Sequence, residues 1–195
     1  LLDSACQIPD KKKRLFDELN SSRGRGMFVL GRNKCAAHLG GLFDVAGFID
    51  DYTDESIFMG KPVLRMNAVP RSSMVVSSCA GNALAALDRL QQEGFTRVLD
   101  YFALIGLAPN TFSDFYFGEV NRNNRQDMDA NRQKYEWLYS RFADDASRRV
   151  FENIMRFRYF MNLECLRGFK NDIEGQYFDE CVVWGPEEVF VEGGG

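Results

Sequence analysis

Along the first hundred residues, short apolar runs alternate with stretches in which apolar residues recur every three or four positions. Met27-Phe28-Val29-Leu30 is a continuous apolar run closed by Gly31, the pattern of a strand buried on both faces. Val45-Ala46-Gly47-Phe48-Ile49, Pro62-Val63-Leu64, Met74-Val75-Val76 and Arg97-Val98-Leu99 repeat it. Between them, a helix is expected over about Cys35 to Phe43. A second, from Gly81, carries Leu84, Leu87 and Leu90 on one face and is stopped by Gly94. Strands alternating with helices imply a parallel sheet with right-handed crossovers. The expectation is an α/β, Rossmann-like sheet over 26–102 with strand order 3-2-1-4-5. A helical lead-in over 1–25 precedes it, with Leu15, Phe16 and Leu19 on one face.

Past residue 102 the pattern changes. Residues 103–132 have weak periodicity and end in Asn121-Arg122-Asn123-Asn124-Arg125, which reads as a loop or linker. Residues 133–188 read as a helical connector. Tyr135, Leu138, Tyr139 and Phe142 form one stripe, Asp144-Asp145 can cap the next helix, and Val150, Ile154, Phe157 and Met161 recur along it. Gln176-Tyr177-Phe178 and Trp184-Gly185-Pro186 fall in the link to a final strand, Val189-Phe190-Val191, which runs into Glu192-Gly193-Gly194-Gly195. Strand, acid and glycine turn together suggest the first strand of a second, truncated α/β domain over 189–195. A plain turn or linker is the other reading of those glycines. The chain opens Leu1-Leu2-Asp3 and stops at this glycine turn, so it is expected to be a piece of a longer protein.

Composition narrows the function classes. The chain has 195 residues, 45% hydrophobic and 27% charged, the balance of a globular domain. A net charge of −4 without a basic stripe argues against nucleic acid, and no run of 18 apolar residues offers a membrane span. Five cysteines, with no C-x-x-C pair, fit a reducing cytoplasm better than a disulfide framework or a zinc site. His38, the single histidine, is expected as a packed or surface helix residue; no metal site is expected.

Three stretches carry candidate chemistry. The turn Gly31-Arg32-Asn33-Lys34-Cys35-Ala36 resembles G-x-G-x-x-A, except that Asn33 stands at the middle glycine, where a pyrophosphate would approach the backbone. Asp50 lies nineteen positions after Gly31, where an acid can accept a ribose hydroxyl. These residues read either as a nucleotide, sugar-nucleotide or CoA pocket or as an ordinary strand–helix turn. Ser77 and Ser78 follow the fourth strand and face the same switch point; they read as pocket wall or as helix caps. The third stretch is the tail.

The segments Phe142-Ala143-Asp144-Asp145-Ala146-Ser147-Arg148-Arg149-Val150-Phe151, Arg156-Phe157-Arg158-Tyr159, Gln176-Tyr177-Phe178 and Glu187-Glu188-Val189-Phe190-Val191-Glu192-Gly193-Gly194 resemble, in order and spacing, the approach to the catalytic domain of FkbM-type methyltransferases. These enzymes use S-adenosylmethionine, mostly to methylate oxygen. The 26–102 module looks like the Rossmann-like module that precedes the catalytic domain in some members, and like the amino-terminal domain of sugar acyltransferases that handle nucleotide-sugars. The resemblance implies that Glu192 stands at the acid of the first cofactor motif, usually Asp, with Gly193, Gly194 and Gly195 forming its loop. Gln176 and Tyr177 match a triplet that lines the pocket entrance or forms a turn. It also implies that the catalytic residues lie downstream and that this stretch alone is inactive, with S-adenosylmethionine not fully bound. The implied acceptor is a hydroxyl-bearing small molecule, sugar-linked in one form. A nucleotide or nucleotide-sugar binding module without catalysis, and a homodimerisation domain, are the alternatives.

Overall fold

Most strands form where apolar, often β-branched or aromatic residues are bracketed by glycine, proline or a charge, and the strand Met74–Ser77 lies between serines. The structure, a computed structural model, describes residues 7–112, 124–168, 180–184 and 189–193, the last two stretches as backbone. Five strands are parallel neighbours: β1 (Phe28–Leu30), β2 (Gly47–Ile49), β4 (Lys61–Leu64), β5 (Met74–Ser77) and β6 (Arg97–Asp100). A sixth, β3 (Ile57–Phe58), pairs antiparallel with β4, Ile57 opposite Pro62 and Phe58 opposite Lys61. The hydrogen-bonded order is β3-β4-β2-β1-β5-β6. It departs from the expected five-strand, all-parallel order by this added edge strand. Met59 and Gly60 make the difference: both have positive φ, 51° and 73°. That is the requirement of a two-residue type I′ hairpin turn, and Met conceals it.

Helices cover both faces. Val29, Phe48, Val76 and Leu99 point to one face and share a core with Leu15 and Leu19 of α1 (Asp10–Ser22), Leu39 of α2 (Lys34–Leu42) and Leu104 of α4 (Tyr101–Leu107). Leu30, Ile49 and Val75, one position away, point to the other face. They meet Leu90 of α3 (Ala83–Gln92), Phe95, and Met66 and Val69 at a short 3-10 turn. The two-residue alternation of strands therefore sorts the apolar residues into two cores.

The lead-in and the connector belong to this core rather than lying outside it. Lys12 of α1 is ion-paired to Asp100 at 2.6 Å, and the Asp100 side chain is 2% exposed. Residues 103–132, expected as a loop or linker, contain the rest of α4, the buried Phe112 and helix α5 (Asn124–Ala130), with Met128 buried. Helix α6 (Arg132–Arg141) has no buried residue. Helix α7 (Asp145–Phe160) is capped by Asp144, whose carboxylate accepts the Ser147 amide at 2.7 Å. Its carboxy-terminal end docks on α4: Phe157 meets Phe102 edge to face, and Met161 and Leu163 are buried in the first core. Gly106 makes this approach possible, since a Cβ there would lie 2.6 Å from the Phe160 carbonyl oxygen. The expected stripe is only half buried. Val150 and Ile154 stay partly exposed, and Met155 is the buried residue of the helix, because the contacts with α4 come from its last turns, at Phe157 and Phe160.

The chain's final strand pairs locally. β7 (Glu180–Trp184) and β8 (Val189–Gly193) form a separate antiparallel pair, with Glu192 opposite Cys181 and Gly193 opposite Glu180. Two expectations change here. Trp184 ends a strand instead of lying in a link, since Cys181-Val182-Val183-Trp184 is itself a strand-forming run, and Gly193 closes β8 instead of opening the turn. Among the described residues, no helix is long and apolar enough to cross a membrane.

Candidate functional site

The carboxyl ends of β1, β2 and β5 lie level. Leu30 is in register with Ile49 on one side and with Ser77 on the other. The residues just after them, Gly31, Asp50 and Ser78, therefore meet at one edge, where the order reverses about β1 and open parallel sheets bind ligands.

Gly31 turns the chain with φ +101°. A Cβ at Gly31 would meet Ser78 Oγ at 2.7 Å, so glycine is required both by the backbone and by the neighbour. Ser78 donates from its buried hydroxyl to the Leu30 carbonyl at 2.7 Å. Asn33 is the N-cap of α2: its Oδ1 accepts the Ala36 amide at 3.0 Å, and its Nδ2 donates across the edge to the Ser78 carbonyl at 2.9 Å. One side chain thus closes the helix terminus and ties the β1 turn to the β5 loop. The structure brings Gly31, Asn33 and Ser78 together, but neither serine caps α3. That helix begins at Ala83 behind Asn82, which makes no side-chain cap bond. Ser77 is buried at the end of β5, and its hydroxyl has no well-formed hydrogen bond among the described residues.

Asp50 sits at the end of β2 with its carboxylate half-filled. Oδ2 accepts from Arg32 Nε at 2.8 Å and Oδ1 from the Tyr52 amide at 2.9 Å. Burial works to raise the carboxyl's pKa, but the Arg32 and Tyr52 hydrogen bonds outweigh it and hold it below the usual carboxylate range. Arg32 also reaches Glu55 at 2.5 Å, and its own pKa is raised, first of all by the bond to Asp50. Asp51 receives the Met66 amide at 2.8 Å on one oxygen and Arg89 of α3 on the other.

A cleft of about 430 Å³ opens beside these groups, between the edge of β1 and β2 and the first turns of α3. Its walls are Leu30, Gly31 and Ile49 from the sheet, and Asn82, Ala85 and Ala86 from α3. Asp50, Asp51, Tyr52, Cys79 and Arg89 complete the lining. The volume falls within the roughly 300–1,000 Å³ of small-molecule sites, with the same apolar lining and few polar groups. Burial pushes the Cys79 thiol's pKa up, partly offset by the neighbouring Ser77 hydroxyl. Of the expected pocket residues, Gly31 and Asp50 line the cleft; Asn33, Ser77 and Ser78 stand behind it. Asp51, Tyr52 and Arg89 are the polar residues that sequence reasoning missed. Asp51 follows Asp50 directly, and Arg89 falls opposite the Leu84–Leu87 stripe, which was the available signal.

The other candidates lie elsewhere. His38 Nδ1 is 2.8 Å from the Tyr101 hydroxyl and edges against Phe112, away from the cleft residues. Glu192 and Gly193 are on β8, which is not hydrogen-bonded to the main sheet. Gln176, Tyr177, Gly194 and Gly195 lie outside the described residues. Comparison with protein-family models, with curated proteins and with solved structures finds no match for this chain.

Proposed function

We propose that this chain is the amino-terminal region of an S-adenosylmethionine-dependent methyltransferase acting on a hydroxyl group, in which the Rossmann-like sheet is an accessory module. The observation that carries this reading is the run of resemblance from Phe142 to Gly194, which ends in the acid and glycines of a first cofactor motif. In this reading Glu192 to Gly195 begin the donor site, Gln176 and Tyr177 lie near its entrance, and the transferring residues come later in the protein. Methyl transfer is an in-line displacement at carbon, so the catalytic domain would gain most by holding donor and acceptor aligned; such alignment is worth roughly 7–11 kcal/mol. The test is radiolabelled methyl transfer from S-adenosylmethionine to hydroxyl acceptors, sugars included. The longer protein is expected to transfer, and residues 1–195 are expected to be inert. Transfer by residues 1–195 alone, or none by the longer protein, would sink the proposal.

The cleft favours a companion reading, that the 26–102 module binds a small ligand and does no chemistry. It lies at the switch point and combines an apolar wall with two carboxylates. Sedimentation of the chain addresses the homodimer alternative, with a strict monomer counting against it.

A further inference from the structure

We infer that the switch-point cleft takes a nucleoside without phosphates, and that Asn33 sets this preference. The inference rests on the reading of the sheet as a ligand-binding module and narrows the ligand to one chemical class.

Two carboxylates stand in an otherwise mostly apolar cleft. Asp50 and Asp51 each receive one hydrogen bond per oxygen. A carboxylate offers about four acceptor directions, so each retains room for hydroxyl donors. Ribose hydroxyls supply such donors. Phosphate oxygens are acceptors and anionic, and would meet these carboxylates with repulsion.

The two cations that hydrogen-bond these carboxylates are already engaged. Arg32 bridges Asp50 and Glu55, and Arg89 is paired with Asp51. A phosphate would have to break one of these pairs and leave a part-buried carboxylate without its partner.

The usual phosphate route is also filled. A pyrophosphate in a Rossmann-like site rests on backbone amides at the first helix's amino terminus, reached over a bare glycine. Here Asn33 occupies that glycine's place. Its Oδ1 takes the Ala36 amide and its Nδ2 crosses to the Ser78 carbonyl.

What remains suits a flat base. Ile49, Ala85 and Ala86 make an apolar wall, and Tyr52 stands at the cleft with 89% of its surface exposed. Tyr52 is held loosely by Arg89, which donates to its hydroxyl at 3.3 Å. The Arg89 guanidinium stands over one side of the ring, 5.8 Å from its centroid, and the ring's remaining exposed surface can stack on the π-face that every base has.

The test is calorimetric titration of residues 1–195 with adenosine, uridine, their 5′-diphosphates and ribose. At least one nucleoside is expected to bind about tenfold more tightly than its diphosphate, a difference of one charge-assisted contact. Asn33→Gly is expected to improve diphosphate binding by about tenfold, while leaving the nucleoside within about threefold. Asn33→Ala, which frees the same amide without adding glycine's backbone freedom, guards against an unfolded variant and is expected to move the same way. Tyr52→Ala is expected to weaken the nucleoside. Diphosphates binding as tightly as nucleosides to the unaltered chain would overturn the inference and leave the module reading standing. So would both Asn33 variants folding without any gain for diphosphates. Ribose binding as well as the nucleosides would overturn the role given to the base. Binding of none of the five would overturn the inference and the module reading together.

Discussion

At the scale of single residues, Asp50 shows how a site is kept charged against its own burial. Its pKa is lowered in the folded chain by Arg32 and the Tyr52 amide, despite desolvation. Above the ordinary carboxylate range the group is ionised in both folded and unfolded chains, and its contribution to stability is complete. As pH falls below the ordinary carboxylate range and through the lowered folded value, that contribution is lost. Arg32→Gln removes the larger favourable partner and leaves the burial. The Asp50 titration followed by carboxyl-carbon NMR is then expected to move up, and acid unfolding to begin at higher pH. An unmoved titration would show that Arg32 does not hold the charge.

Elements depend on a few such residues in other ways. Asp100 ends β6, accepts the Ala103 amide at 2.9 Å as the N-cap of α4, and pairs with Lys12 of α1. Three elements meet on one carboxylate that is 2% exposed. Asp100→Ala is expected to cost about 3 kcal/mol, because it strands Lys12 in a largely buried place and uncaps α4. Urea unfolding measures this, and a loss under about 1 kcal/mol, the scale of a surface pair, would refute it. The parallel strands are legible in sequence because continuous apolar runs between glycines and charges have few other uses. β3 is not, since a two-residue strand has no period, and its turn uses Met59 in a conformation usually left to Gly or Asn. Asn33 and Asp50 are legible as a spacing. Tyr52 and Arg89 are not, because they come from a loop and from the polar side of α3, and only the fold places them at one opening.

For the whole molecule, the boundary read at residue 132 is not a boundary of packing. Met161 and Leu163 are 5% and 2% exposed in the same core as Leu15 and Leu19. Arg167 reaches Asp88 of α3 at 2.6 Å, and Asn162 donates to the Gln7 carbonyl at 3.2 Å. A chain ended after residue 132 exposes the core surface these residues cover. At about 1.5–3 kcal/mol for each buried side chain, the loss of the two is about 3–6 kcal/mol. That is a large share of a domain stability of about 5–15 kcal/mol. Thermal unfolding is expected to show a markedly lower midpoint than for the 1–168 chain. Equal midpoints would mean that the connector only rests on the sheet.

The docking of Met161 and Leu163 also sets a schedule for synthesis. Leu163 follows Asp100, where β6 ends, by 63 positions. At about 5–20 residues per second, roughly 3–13 s pass between the two at the ribosome. For that interval the six strands exist without the residues that cover one end of α4. The nascent sheet must wait, with apolar surface open to other chains, for a helix that the ribosome delivers seconds later.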